Sequence, residues 1–137
     1  MVPIRYVNQG FNRAQLFGFY RAAAIGFVTP LRDGMNLVAK EYVAAQRPEN
    51  PGVLVLSRFA GAAEQLTDAI LVNPHSPEEV ALGLKQAMDM PLSERPTRWV
   101  RLNAVVQWAD VIRWAVDFIR ILEGELQDGP SGPESIA

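Results

Sequence analysis

The 137-residue sequence predicts an α/β fold in which helices cover a parallel sheet. Short apolar runs at residues 25–28, 53–56 and 69–72 alternate along the chain with longer stretches of helical periodicity. These runs carry no charged side chains, which is typical of strands buried on both faces of a parallel sheet. Strands that alternate with helices favour this fold class over an all-helical or an all-β architecture.

The first part of the chain is expected to contain one more strand and two helices. Residues 3–8 alternate apolar and polar side chains, which is the period of a strand with one buried face. Asn12 is a suitable N-cap for a helix over 13–23, because its side chain can accept a hydrogen bond from a free amide of the first turn. The next helix is expected over about 36–45 and must end before Pro48.

The second part continues the alternation with short connections. A short helix is expected near 62–66, between the second and third apolar runs. Ser76 opens a strong helix signal, with Pro at the first helical position and Glu at the third, and this helix should end near Asp89. Two more helices are expected over 94–107 and 110–123.

The last expected helix is apolar over an unusually wide arc. A helix with this pattern is normally buried on more than one side. If nothing covers it, we expect copies of the chain to associate through this helix into homo-oligomers. Its two adjacent apolar stripes are Trp108, Ile112, Ala115, Ile119 and Leu122, and Val111, Trp114, Phe118 and Ile121. Residues 124–137 are polar, contain Gly and Pro, and are expected to form a flexible tail.

The composition excludes several classes of function. Apolar residues make up 49% and charged residues 20%, which is ordinary for one globular domain, and a net charge of −2 argues against non-specific binding of nucleic acid. With no cysteine and with His75 as the single histidine, we expect no metal centre and no cofactor. No apolar run approaches the length of about 20 residues that spans a membrane, and no signal peptide is evident, so we expect a cytoplasmic protein that does not contact membranes.

Residues 29–41 form the most informative segment. It follows the first buried strand, and ligands of open α/β sheets bind beyond the carboxyl ends of the strands. Gly34 permits a tight turn, and Asp33 and Glu41 stand eight positions apart, before and within the following helix. Their carboxylates could accept hydrogen bonds from the hydroxyls at the two ends of a sugar nucleotide.

The start of that helix supplies the middle of such a site. The first amides of a helix have no partner within it, and the helix dipole favours an anion there, so these amides are candidates to contact a pyrophosphate. They belong to Asn36, Leu37 and Val38. On physical grounds alone, an Asp33 that only caps the helix is at least as good an interpretation. His75 is interpreted as a loop residue, and the small residues at 59–64 as a close helix–sheet contact or a second approach to ligand.

Three stretches carry a resemblance to a known family. They are residues 28–45, which read VTPLRDGMNLVAKEYVAA, residues 50–63, which read NPGVLVLSRFAGAA, and the LVNP within 66–74. They closely resemble the trehalose-6-phosphate synthase family, and the likeness covers about residues 3–122. Members of that family are retaining glycosyltransferases with two Rossmann-like domains (GT-B), which join glucose from UDP-glucose to glucose 6-phosphate without a metal.

The resemblance implies a role for each residue of the segment. Asp33 is similar to the acid that holds the hydroxyls of the donor glucose, and Glu41 to the carboxylate on the ribose. The remaining positions contribute their backbone: Gly34, Met35 and Asn36 beside the glucose, Leu37 and Val38 at the diphosphate, and Phe11 at the uracil. No residue of this chain matches a catalytic residue of the family.

The resemblance also implies how the chain is organised. Residues 1–123 are expected to be the C-terminal part of the nucleotide-sugar binding domain of a GT-B enzyme, either as a gene fragment or as a truncated product. The cationic clamp on the diphosphate and the N-terminal domain with the acceptor site precede the matching region in the family, so the isolated chain should be inactive. Two alternatives stay open: a related synthase with another acceptor, such as glucosylglycerol-phosphate or pseudo-sugar coupling, and a non-catalytic relic or interaction module.

Overall fold

The computed structural model describes residues 4–109 and 111–124. Within these ranges, strands and helices alternate as the sequence predicts. Their bounds are α1 (Arg13–Ala22), β1 (Ile25–Val28), α2 (Leu37–Ala45), β2 (Val53–Ser57), a short 3-10 helix (Gly61–Glu64), β3 (Ile70–Val72), α3 (Pro77–Asp89), α4 (Arg95–Trp108) and α5 (Val111–Leu122).

The three strands form one parallel sheet in the order β1-β2-β3. Ile25 pairs with Val53 at the start of β1 and β2, and Val55 pairs with Ile70 across β2 and β3. β2 lies in the centre and is buried along its whole length, as expected for a strand that is covered on both faces. The predicted α/β class with a parallel sheet and flanking helices is therefore confirmed.

Alternate residues of β2 contribute to two separate cores. Leu54 and Leu56 face the side that α2 and α4 cover, where Trp99 donates its indole N–H to the Val43 carbonyl at 3.0 Å. On the opposite face, a second core packs under α3; its buried members are Val53, Val55, Ile70, Val72, Ala87 and Met90. The sheet thus has helices on both faces, which is the layered arrangement that buries continuous apolar strands.

Tyr42 of α2 packs directly on β1. A Cβ atom at Gly26 would lie 2.7 Å from the Tyr42 ring, so only glycine permits this approach of helix and strand. The Tyr42 hydroxyl donates to the Ala23 carbonyl at 2.9 Å, and burial raises the pKa of this phenol to about 12. This contact fixes the position of α2, and α2 carries part of the predicted site.

Two predicted helix starts are confirmed in atomic detail. Asn12 caps α1 by accepting from the Gln15 backbone amide at 2.9 Å, and the Gln15 side-chain oxygen accepts from the Asn12 backbone amide at 3.1 Å, which completes a capping box. Ser76 caps α3 by accepting from the Glu79 amide at 3.2 Å, with Pro77 as the first helical residue.

Two expectations about strands are wrong. Residues 4–8 are exposed and form no strand, and the described sheet consists of β1, β2 and β3 alone. β1 is an edge strand of the described sheet and is only partly covered, with Phe27 46% exposed. An apolar pattern predicts a strand but does not show whether a neighbour covers it.

The last helix leaves its apolar side uncovered within the described ranges. Ile112 is 70% exposed and Trp114 is 56% exposed, although both lie on the predicted stripes. No helix in the described ranges is long and apolar enough to cross a membrane. The predicted flexible tail at 124–137 lies outside the described residues except for its first position, and so does Pro3, the first residue of the predicted N-terminal strand.

Candidate functional site

The turn between β1 and α2 lies at the carboxyl edge of the sheet. β1 ends at Val28, and residues 29–36 lead from it into α2. Because the three strands run in the same direction, the segments that follow β2 and β3 emerge at this edge too. This is the edge at which open α/β sheets bind their ligands.

Asp33 and Asn36 hold this turn in shape. One carboxylate oxygen of Asp33 accepts from the Asn36 side-chain amide at 3.0 Å, and the other accepts from the Met35 backbone N–H at 3.3 Å. Asn36 caps α2 by accepting from the Ala39 amide at 3.0 Å, and its left-handed backbone, with φ 70°, is one that asparagine tolerates. The cap is therefore Asn36 and not Asp33. Because a carboxylate offers about four acceptor positions, Asp33 retains capacity for ligand hydroxyls.

The amides of Leu37 and Val38 are open at the start of α2. As the amides of the first two helical residues they have no carbonyl partner within the helix, and the described residues supply no other acceptor. Their side chains are 64% and 43% exposed, so the chain leaves this end of the helix uncovered. Two free amides together with the positive end of the helix dipole favour an anionic ligand.

A second loop, which follows β2, is hydrogen-bonded to this turn. The backbone of residues 59–62 runs beside residues 33–35 and forms three hydrogen bonds with it. The Asp33 amide donates to the Phe59 carbonyl at 3.2 Å, and the Gly61 and Ala62 amides donate to the Asp33 and Met35 carbonyls at 3.1 and 2.7 Å. The small residues at 59–64 thus hold the predicted site in place, which the sequence interpretation missed.

Gly61 makes this support possible. A Cβ atom at Gly61 would lie 2.0 Å from the Gly34 carbonyl oxygen, a distance that no side chain tolerates. At Gly34 the added atom would meet nothing within 4 Å, so that position is open. The sequence signal was present in the run Ala60-Gly61-Ala62, whose residues are small enough for two backbones to touch.

Glu41 lies one helical turn beyond Leu37 and is half-buried. The Tyr20 hydroxyl of α1 donates to one Glu41 carboxylate oxygen at 3.4 Å. Burial raises the pKa of Tyr20, and the charge and hydrogen bond of Glu41 raise it further, so the phenol stays protonated. Tyr20 is the second residue that the sequence interpretation did not assign to the site.

Phe11 lies next to the start of α1 and not on the turn between β1 and α2. It directly precedes the capping Asn12, and its half-buried ring packs edge-on against Phe19 with centroids 4.8 Å apart. The structure therefore brings Asp33, the two open amides and Glu41 onto one turn and helix, and places Phe11 just before the start of α1.

Lys40 and His75 are two further ionisable residues on segments that adjoin the turn. Lys40 donates its ammonium group to the Gln65 side chain at 2.8 Å, and burial lowers the pKa of this lysine. His75 lies in the turn before α3 as expected, and its ring contacts Phe59 with centroids 5.7 Å apart. Among the residues described, no three His, Asp or Glu side chains cluster closely enough to hold a metal ion.

The sequence and structure of this chain match one protein family. The model of glycosyltransferase family 20 matches residues 1–124. The chain belongs to this family. The resemblance on which the expected site residues rest is therefore confirmed, and the family is one of glycosyltransferases.

Two relatives show how much of a family 20 protein this chain represents. Trehalose-6-phosphate synthase of Enterobacter sp. (strain 638) is 54% identical over 121 residues, which are 88% of this chain and 26% of that protein. The synthase of Cronobacter sakazakii is 52% identical over 132 residues, 96% of this chain and 27% of that protein. The chain thus spans about a quarter of the length of the curated relatives that it matches.

Solved structures of family 20 synthases confirm the fold. An α,α-trehalose-phosphate synthase (UDP-forming) from Burkholderia xenovorans, in complex with glucose-6-phosphate, superposes with a TM-score of 0.85 at 51% identity over 90% of this chain and 28% of that chain. A structure from E. coli, bound with UDP-2-fluoro glucose, has a TM-score of 0.85 at 50% identity over 96% of this chain and 28% of that chain. This chain therefore has the fold of one part of a GT-B enzyme.

Proposed function

We propose that this chain forms the donor-binding part of an α,α-trehalose-phosphate synthase, which transfers glucose from UDP-glucose to glucose 6-phosphate in trehalose biosynthesis. One observation carries the proposal: a single turn and helix present the Asp33 carboxylate, the open amides of Leu37 and Val38, and the Glu41 carboxylate in that order. UDP-glucose offers groups in the matching order, which are sugar hydroxyls, a diphosphate and ribose hydroxyls. The relatives support the proposal, since one of them is the Burkholderia synthase with glucose-6-phosphate.

Each group in this row has a proposed task. Asp33 accepts hydrogen bonds from the glucose hydroxyls, while the backbone of Gly34, Met35 and Asn36 lies beside the sugar. Leu37 and Val38 donate their amides to the diphosphate and stabilise the charge that develops as it departs. Glu41 accepts from the ribose; it lies about 6 Å along the helix from Leu37, a span that fits a diphosphate and a ribose of one nucleotide.

The rest of the assignment completes the donor site. Phe11 is proposed to meet the uracil through its backbone, which would place the base against α1. Residues 1–123 are proposed as the C-terminal part of the donor-binding domain, and the acceptor site as a feature of those parts of the synthases that this chain does not match. We also propose that the protein acts in the cytoplasm.

Calorimetric titration of the 137-residue chain with UDP-glucose tests the proposal. We expect Asp33→Ala and Glu41→Ala each to weaken binding by about tenfold or more, because each removes a charged acceptor of hydrogen bonds. Glu49→Ala is the matched control, since Glu49 is an exposed acid in the turn before β2 and should leave binding unchanged. An affinity for UDP-glucose that neither substitution changes would overturn the proposal and favour a non-catalytic interaction module.

Turnover is a separate measurement. With UDP-glucose and glucose 6-phosphate together, the isolated chain is expected to release no UDP, because no acceptor-binding residue is assigned to it. Measured turnover by the purified chain would show that this assignment is wrong. Replacing glucose 6-phosphate by other acceptors in the same assay tests the alternative that the donor site serves a different transfer.

We also propose that the isolated chain associates through α5. The exposed large apolar side chains described on this helix are Ile112, Trp114, Val116, Phe118, Ile119, Ile121 and Leu122. Analytical ultracentrifugation should find association in the wild type and less of it in Trp114→Lys. Leu82→Lys is the control, because Leu82 is 68% exposed on α3 but stands outside that cluster. A monodisperse wild-type monomer would contradict this expectation.

A further inference from the structure

We propose that Tyr20 is a positioning residue that orients Glu41 and thereby makes the site depend on the hydroxyls of the ribose. The inference rests on the proposed function, because it takes Glu41 as the group that accepts from the ribose. Tyr20 stands on α1, 21 positions before Glu41, and reaches it across the interface between α1 and α2.

The contact uses one oxygen of Glu41 and leaves the other available. The Tyr20 hydroxyl donates to Oε2 at 3.4 Å, and no group of the described residues donates to Oε1. This bond is long, as hydrogen bonds of unliganded sites often are, and it can shorten when a ligand orders the carboxylate. A carboxylate that is held by one oxygen retains about three acceptor positions, enough for two neighbouring ribose hydroxyls.

Tyr20 is itself held firmly, which a positioning residue requires. Its backbone carbonyl accepts from the Gln46 side chain at 2.6 Å, and its ring packs edge-on against Phe17 with centroids 6.0 Å apart. The next residue, Arg21, donates to the Ala45 carbonyl at 2.9 Å, which ties α1 to the end of α2. The hydroxyl therefore has little freedom left to lose when a nucleotide binds.

An alternative is that Tyr20 only packs the interface between α1 and α2. A packing role depends on the ring and not on the hydroxyl, so Tyr20→Phe separates the two roles. A packing role also affects all nucleotides equally, whereas positioning of Glu41 matters only for a nucleotide that has ribose hydroxyls. The test therefore compares UDP with dideoxy-UDP, which lacks both of them.

Calorimetric titration of the 137-residue chain with both nucleotides measures this difference. For Tyr20→Phe we expect UDP binding to weaken by about three- to tenfold and dideoxy-UDP binding to change by less than about twofold. Tyr6→Phe is the control, because Tyr6 is 84% exposed and should change neither value. Thermal unfolding of each variant shows that the fold is retained.

A double substitution makes the test independent of small losses in stability. If Tyr20 acts through Glu41, then Tyr20→Phe has no further effect on UDP binding once Glu41→Ala is present. UDP binding that needs Glu41 but ignores Tyr20→Phe would overturn this inference and leave the proposed function intact. Equal losses for UDP and dideoxy-UDP would overturn it as well, in favour of packing. An affinity for UDP that is the same in the wild type and in Glu41→Ala would overturn both this inference and the proposed function.

Discussion

Gly61→Ala is the substitution that most directly tests how the candidate site is built. The added methyl carbon would lie 2.0 Å from the Gly34 carbonyl oxygen, and contacts under 3.0 Å essentially never occur. The two loops must therefore move apart by about 1 Å or more, since neither partner is a flexible side chain.

The cost of this movement follows from the contacts that it disturbs. The three backbone hydrogen bonds between the loops have lengths of 3.2, 3.1 and 2.7 Å, so a displacement of this size breaks at least two of them. Each contributes about 0.5–1.5 kcal/mol, and forcing a methyl group into a filled space costs about 1–3 kcal/mol. We expect the free energy of unfolding to fall by about 2–6 kcal/mol.

The same displacement moves Asp33 and the start of α2, so binding should suffer where the fold survives. Urea unfolding measures the stability, and titration with UDP-glucose measures the affinity, which we expect to fall by about tenfold or more. Gly34→Ala is the matched control for stability, because its methyl group meets nothing within 4 Å. The reasoning is refuted if Gly61→Ala unfolds within about 0.5 kcal/mol of Gly34→Ala and binds UDP-glucose like the wild type.

Three further predictions concern the scaffold. Gly18→Ala should raise the free energy of unfolding by about 0.5–1 kcal/mol in urea titrations, because Gly18 lies inside α1 and its methyl group would meet nothing; a loss of stability would contradict it. Gln46→Ala should cost about 2–4 kcal/mol, because this buried side chain makes three hydrogen bonds with backbone groups, whereas the exposed Gln86→Ala should change little. Because burial raises the pKa of Tyr42 from 10.0 to about 12, its protonated form stabilises the fold fully below pH 10 and loses that effect as the pH rises towards 12. Between these pH values the unfolding free energy should fall less in Tyr42→Phe than in the wild type or in the exposed-site control Tyr6→Phe, and equal slopes would refute the assignment.

Much of the fold was predictable because its signals are local. Asn12 and Ser76 cap helices through residues three positions away, so the chain carries both partners of each cap within one turn. The apolar runs predict β2 and β3 within a residue, and the parallel sheet follows from their alternation with helices. Residues 4–8 show the limit, because an alternating pattern cannot supply a neighbouring strand.

The candidate site also combines features that the sequence predicted with features that it did not. Asp33, the amides after Asn36 and Glu41 lie within nine consecutive positions, so the sequence by itself determined that carboxylates would flank the open end of a helix. The sequence interpretation offered only Asp33 as a cap for that helix, whereas the structure assigns the cap to Asn36.

Only the tertiary structure decided what supports this row. Gly61 comes to rest on Gly34 from 27 positions away, and Tyr20 reaches Glu41 from the opposite direction along the chain. Neither contact leaves a periodic or capping signal, because each depends on how β1, β2 and α1 are brought together by burial of the two cores. The sequence determined the groups that we propose to face a ligand, and the packing of the sheet determined how firmly they are held.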